Sequence, residues 1–218
     1  MNDTPGNPGN PENPTPISEM PNEDLFLNRE SSWLEFNRRV LHEALDSRTP
    51  LLERVGFLAI FNSNLDEYFQ KRVGGLKRQI NAGVTTRTVD GMTAQDQLAL
   101  IRSTVLEDLQ TQANCFEQQV KPALAQEGVH LLKWDQLTDE EKQYTDDYFE
   151  DNLFPVLTPL AVDPGHPFPF ISNLSTSLGV ILRYPDGAST HDDAETGEIQ
   201  FARVKVPRIL PRWVRLNE

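Results

Sequence analysis

Phe57-Leu-Ala-Ile-Phe-Asn-Ser-Asn-Leu-Asp-Glu-Tyr-Phe69 is the stretch on which the fold turns. It reads as an apolar helix that runs into three small polar residues, Asn62, Ser63 and Asn64, after which a second helix departs. Helical hairpins ordinarily turn on glycine or proline. A polar cluster in that place offers hydrogen bonds to something, and two readings stay open on the residues alone. In one, Ser63 or Asn64 caps the next helix, with Ser63-x-x-Asp66 as the capping pattern. In the other, the amide of Asn62 or Asn64 faces a cleft and binds a ligand through both its donor and its acceptor. An adenine edge carries such a pair. One hydrogen bond contributes a net ~0.5–1.5 kcal/mol, so an amide there tunes nucleotide binding without carrying it.

Upstream, Ser32-x-x-Glu35 predicts a capping box and a helix start at Ser32. Trp33, Phe36, Val40, Leu41 and Ala44 form its apolar face. Thr49 as N-cap and Pro50 at the first helical position open the next helix, with Leu51, Val55, Leu58 and Ala59 as its buried stripe. Beyond the polar triplet, Leu65, Phe69, Val73, Leu76 and Ile80 fit a helical period. Gly74-Gly75 costs that helix about 2 kcal/mol against alanine, which calls for close packing or a kink. After a loop over 81–92, Thr93-x-x-Asp96 caps a long helix with Leu98, Ile101, Val105, Leu109, Phe116 and Val120 inward. Pro122 ends or bends it. Four amphipathic helices with short connections predict an antiparallel helical bundle over 24–127.

Composition shifts after Gly128. Val129–Leu132 reads as a short strand, Thr138-x-x-Glu141 caps a helix, and 154–161 is extended. The proline-rich run 163–170 suits neither helix nor central strand. Leu174, Thr176, Leu178, Val180 and Leu182 alternate like a strand, and so do residues 201–206 beyond an acidic loop at 185–198. The expected class is α+β: the helical bundle, then a truncated mixed α/β domain over 128–218. Residues 1–23 hold six prolines and almost nothing apolar, which predicts a disordered acidic tail.

The chain has 218 residues and a net charge of −13, with a pI near 4.7. That balance argues against nucleic acid as a partner. No run approaches the roughly 18 apolar residues of a membrane span, and the start lacks a secretory pattern. The lone cysteine, Cys115, cannot form an intrachain disulfide and suits a cytoplasmic setting and a place in the core. His42, His130, His166 and His191 are scattered, and no zinc spacing, Walker motif or GxGxxG occurs. Asp66-Glu67 suits a helix amino terminus. Lys71, Arg72, Lys77 and Arg78 lie at helical spacing, either as a solvated face or as a phosphate-attracting one.

Three runs together resemble the bacterial polyphosphate kinases of the phosphohistidine type. They are Arg29-Glu-Ser-Ser-Trp-Leu-Glu-Phe-Asn-Arg-Arg-Val-Leu41, Pro50 through Phe69, and Phe154-Pro-Val-Leu-Thr-Pro-Leu-Ala-Val-Asp-Pro-Gly-His-Pro-Phe-Pro-Phe-Ile-Ser-Asn-Leu174, which Val204-Lys-Val-Pro-Arg208 continues. The resemblance covers about 25–218. It implies a helical amino-terminal domain over the nucleotide site, followed by part of the middle or head domain. It implies reversible transfer of the ATP γ-phosphoryl group to polyphosphate, with ATP and ADP as substrates. The motif asparagine that contributes to ATP binding falls on Asn64. The catalytic histidine and the Mg2+ ligands of the family lie in carboxy-terminal domains that these 218 residues do not include. No catalytic residue and no metal ligand is therefore expected in this chain, and the chain alone is expected to be inactive. The resemblance also implies a homo-oligomer. The competing expectation is a non-catalytic interaction or dimerisation module.

Overall fold

The backbone N–H groups at a helix start have no partner in the helix itself, and here Asn28 supplies one. In the computed structural model, which describes residues 20–21, 25–163, 165–183 and 200–216, the Asn28 side chain accepts from the amides of Glu30 and Ser31 at 2.8 and 3.1 Å. Its own Nδ2 donates to Asp90 at 2.8 Å. Helix α1 therefore spans Arg29–Leu45, and the start expected at Ser32 is corrected by one turn. Ser32 lies inside the helix, its N–H on the carbonyl of Asn28.

Helix α2 spans Leu51–Tyr68. Pro50, not Thr49, is its cap residue, and no side chain caps it. The larger correction is at Asn62–Asn64, where α2 runs on without a break. Its buried positions are Arg54, Leu58, Phe61, Leu65 and Tyr68. Their three- and four-residue spacing continues across the triplet, which leaves Asn62 and Ser63 on the exposed side. Neither Ser63 nor Asn64 is a cap. The helix then widens into a π-helical turn, Phe69–Val73, and resumes as α3, Gly74–Asn81. The glycine pair thus follows a local widening of the helix. Close packing does not account for it: a Cβ on Gly75 would meet nothing within 4 Å. Gly83, with φ of 70°, ends the run, and the Val84 amide returns to the Gln79 carbonyl.

Helix α4 spans Ala94–Cys115 behind the expected capping box. The Thr93 hydroxyl oxygen accepts from the Asp96 amide, and the Asp96 carboxylate accepts from the Thr93 amide at 2.9 Å. A second π turn, Phe116–Val120, leads into α5, Lys121–Gln126. A widened turn just before Pro122 gives room for a residue that lacks an N–H and crowds the preceding turn, so the helix continues past it. Val129–Leu132 is not a strand; the Val129 amide closes the end of α5 on the Leu124 carbonyl. The core joins Leu34, Leu41, Ala44, Leu58, Phe61, Leu65, Ile101, Val105 and Val120. Phe36, Ala59 and Leu109, expected inward, are exposed. The buried line of α1 runs through Glu30, Leu34, Asn37, Leu41 and Ala44, so polar residues sit where apolar ones were sought.

The described residues divide into two units, the second beginning at Leu132. In it, Thr138 and Glu141 form the expected capping box of α6, Asp139–Tyr148. A π turn, Phe149–Leu153, precedes a 3-10 turn, Phe154–Val156, so the first part of the expected extended run 154–161 is helical. Three strands follow, β1 Pro159–Val162, β2 Thr176–Leu182 and β3 Gln200–Val206. Their order is β1-β3-β2, each pair antiparallel, with Leu178 opposite Val204. Helices with an antiparallel sheet make the chain α+β. The expected acidic loop at 185–198, and the expected tail apart from Met20 and Pro21, lie outside the described residues.

Candidate nucleotide site

Three rungs connect α1 with α2 and the π turn that follows it. In the first, Asn37 on α1 is 1% exposed. Its Nδ2 donates to the Phe61 carbonyl at 3.2 Å, and its Oδ1 accepts from Asn64 Nδ2 at 2.9 Å. One turn along each helix, Trp33 stacks on Tyr68 with ring centroids 4.2 Å apart and planes 12° apart. One turn further, the Glu30 carboxylate, 2% exposed, takes two bonds from Arg29 on one oxygen. Its other oxygen lies 4.0 Å from Arg72 Nε.

The second and third rungs are short of hydrogen bonds. Among the described residues, neither Glu30 Oε2 nor the buried Tyr68 hydroxyl has a hydrogen-bond partner. Burial, and then the neighbouring Glu30 charge, push the Tyr68 phenol far above its ordinary range. The Asn64 carbonyl oxygen also accepts nothing from the described residues, but it is not sealed from solvent as those two atoms are.

Asn64 is half-buried at the helix seam, whereas Asn62 is exposed and shares none of its contacts. Asp66 and Glu67 stand near the end of α2, not at a helix start. Glu67 pairs with Lys71 one turn on, which lowers its carboxyl below the ordinary range. Lys77 and Arg78 are exposed. Cys115 is buried, its thiol 3.5 Å from the Ala44 carbonyl. His166 sits beside Asp163 at 3.0 Å and holds that carboxyl low. Asn37, Glu30 and Arg54 are the residues that sequence reading missed. The available signal was their type: each is a polar residue on a buried line of otherwise apolar positions.

The second unit carries an open hollow lined in part by Thr158, Ser172, Ser175, Lys205 and Arg208. Arg208 donates to the carbonyls of Asn173 and Leu174, and Arg203, 8% exposed, donates to Ser177 Oγ at 3.0 Å. Arg208 thus anchors the turn before β2, and Arg203 ties β3 to β2. Among the described residues no three His, Cys, Asp or Glu side chains cluster as metal ligands.

Two family descriptions match in succession: the polyphosphate kinase N-terminal domain over residues 26–132 and the polyphosphate kinase middle domain over 140–218. This chain belongs to the polyphosphate kinase family. It is 52% identical over 203 residues to the polyphosphate kinase of Synechocystis sp., covering 93% of this chain and 27% of that one. It is 51% identical over 192 residues to the polyphosphate kinase of Streptomyces coelicolor, covering 88% and 24%. The crystal structure of polyphosphate kinase from Porphyromonas gingivalis matches with a TM-score of 0.70 at 29% identity, over 88% of this chain and 27% of that one. The chain thus spans about a quarter of the length of these relatives. Among the described residues no helix is long and apolar enough to cross a membrane.

Proposed function

We propose that this chain is the amino-terminal part of a polyphosphate kinase. The whole enzyme transfers the γ-phosphoryl group of ATP reversibly to polyphosphate, and this part positions the nucleotide and serves as scaffold. The observation that carries the reading is the Asn64 amide, half-buried in the middle of a continuous helix and fixed by Asn37, with its carbonyl oxygen open. A contact residue on a rigid element holds its direction better than one on a loop. Phosphoryl transfer rests on positioning and charge stabilisation; Asn64 contributes positioning. The nucleophilic histidine, the Mg2+ ligands and the polyphosphate grip belong to the rest of the enzyme on this reading. The chain by itself then makes no polyphosphate. A cytoplasmic setting, where ATP is plentiful, goes with it.

In the whole kinase, Asn64→Ala is expected to raise KM for ATP about two- to tenfold, the worth of one hydrogen bond, and to leave KM for polyphosphate unchanged. An unaltered KM for ATP contradicts the reading. One observation favours assembly as a second role: Phe170, Ile181, Ile209 and Trp213 of the second unit are 87, 67, 89 and 69% exposed. Self-association of the chain without any ATP binding would favour that role over the first.

A further inference from the structure

Resting on the reading of Asn64 as a nucleotide contact, we propose that Asn37 fixes the direction of the Asn64 amide and thereby selects adenine over a 6-oxopurine. The two ends of a side-chain amide are nearly equal in size and opposite in chemistry, so its direction must be set by something that cannot itself be reversed. Here that is the Phe61 carbonyl, which can only accept. It faces Asn37 Nδ2 at 3.2 Å. Turning the Asn37 amide over would put two acceptors against each other. Asn37 Oδ1 must therefore face Asn64, and Asn64 must answer with Nδ2, as it does at 2.9 Å. Asn37 is 1% exposed, so its side of both bonds is shielded from water.

The consequence falls on the open side of Asn64. One Nδ2 hydrogen is committed to Asn37. The carbonyl oxygen and the second hydrogen remain, and with the hydrogen beside Cβ given to Asn37 they form a donor–acceptor pair. Adenine presents an exocyclic N6 donor next to the N7 acceptor, the pair an asparagine amide reads with two bonds. A 6-oxopurine presents two acceptors at the same places and would set its carbonyl against that of Asn64. Ile60, one turn before Asn64 on the same helix, is 48% exposed and offers an apolar surface to a base. Asn37 is a positioning residue, and Asn64 makes the contact.

The test titrates the full chain with ATP, with purine riboside triphosphate, which lacks the 6-amino group, and with ITP, which carries a carbonyl there. The readout is the nuclear magnetic resonance shift of the Asn64 side-chain amide. ATP is expected to bind about two- to tenfold more tightly than the unsubstituted purine, and ITP more weakly than either. Asn37→Leu, which frees the Asn64 amide to turn, is expected to bring the three nucleotides within about twofold of one another, the lower end of one bond's worth. Asn37→Asp in its protonated form, which donates its hydroxyl to the Phe61 carbonyl and still accepts from Asn64, is expected to keep their order. A merely structural Asn37 would weaken all three alike and leave their ratios unchanged. Equal binding of the three by the parent chain overturns the inference even if both variants fail to fold. It leaves the reading of Asn64 standing if Asn64→Ala weakens all of them. Absence of any nucleotide-induced shift at Asn64 overturns that reading and the inference with it.

Discussion

Replacing Arg54 by methionine should destabilise the helical unit by about 2–4 kcal/mol, and the structure supplies the terms. Arg54 is 9% exposed on the buried line of α2. Its Nε donates to the Ala44 carbonyl at 2.6 Å, and its Nη2 donates to Gln119 Oε1 at 2.7 Å and lies 3.7 Å from Cys115 Sγ. Ala44 is in the last turn of α1, where carbonyls have no helical donor. Each bond from a charged donor contributes about 1.5–3 kcal/mol, and a cation at a helix carboxyl end adds about 0.3–1 kcal/mol. Removing the buried charge returns part of that sum as relieved desolvation, which leaves the stated range. Arg54→Lys keeps the charge but reaches fewer acceptors, and should lose about half as much. Urea unfolding followed by far-ultraviolet circular dichroism reads both variants, because most of the helix lies in this unit. In a double-mutant cycle with Gln119→Met the coupling should be about 0.5–3 kcal/mol. An Arg54→Met variant within about 0.5 kcal/mol of the parent, the range of an ordinary surface change, would refute the claim that this guanidinium ties α1, α2 and the turn after α4 together.

Gly75→Ala should stabilise α3 by about 0.5–1 kcal/mol, because nothing lies within 4 Å of the added methyl and the backbone is helical; an unchanged or lower urea midpoint would contradict this. Tyr68→Phe should change stability by no more than about 1 kcal/mol in either direction, because the hydroxyl lies beside the Glu30 carboxylate without a well-formed hydrogen bond to it. The raised folded value of Tyr68 means that its contribution is complete below pH ~10 and is lost as pH rises above that, so alkaline unfolding should be blunted in the phenylalanine variant. The Asp96 carboxyl is held below its ordinary range by the Thr93 hydroxyl and amide. A depressed folded value gives stability that is present above the ordinary aspartate range and lost as pH falls through the folded value. Amide protection at the start of α4 should therefore decay in acid, and Asp96→Asn should remove that dependence; identical acid profiles would contradict it.

The capping boxes at Thr93 and Thr138 were legible because each is a local exchange of two hydrogen bonds between residues three apart. Strands β2 and β3 were legible by their alternation. Asn62–Asn64 misled because a polar triplet inside an apolar run looks like a break. Only the positions that pack on α1 and α4 show that the helix passes through with two of its three polar residues outward. Ser32-x-x-Glu35 misled in another way: Asn28 wins the cap through Asp90, a partner 62 residues away that no local pattern contains. The residues alone left Asn62 and Asn64 open as candidates, and the family resemblance singled out Asn64. Asn37, 27 residues away, becomes part of the site only when the helices pack. The π turns among the described residues each open on phenylalanine followed by Gln or Glu, a pair equally at home in an ordinary helix, and prolines follow two of them.

The most direct measurement is a titration of the isotope-labelled chain with ATP, followed at the Asn64 side-chain amide and repeated with Asn64→Ala. The account predicts a saturable shift centred on Asn64 and Asn37 that the variant weakens about two- to tenfold. Millimolar ATP that leaves this amide unmoved, or that binds the variant as well as the parent, would contradict it.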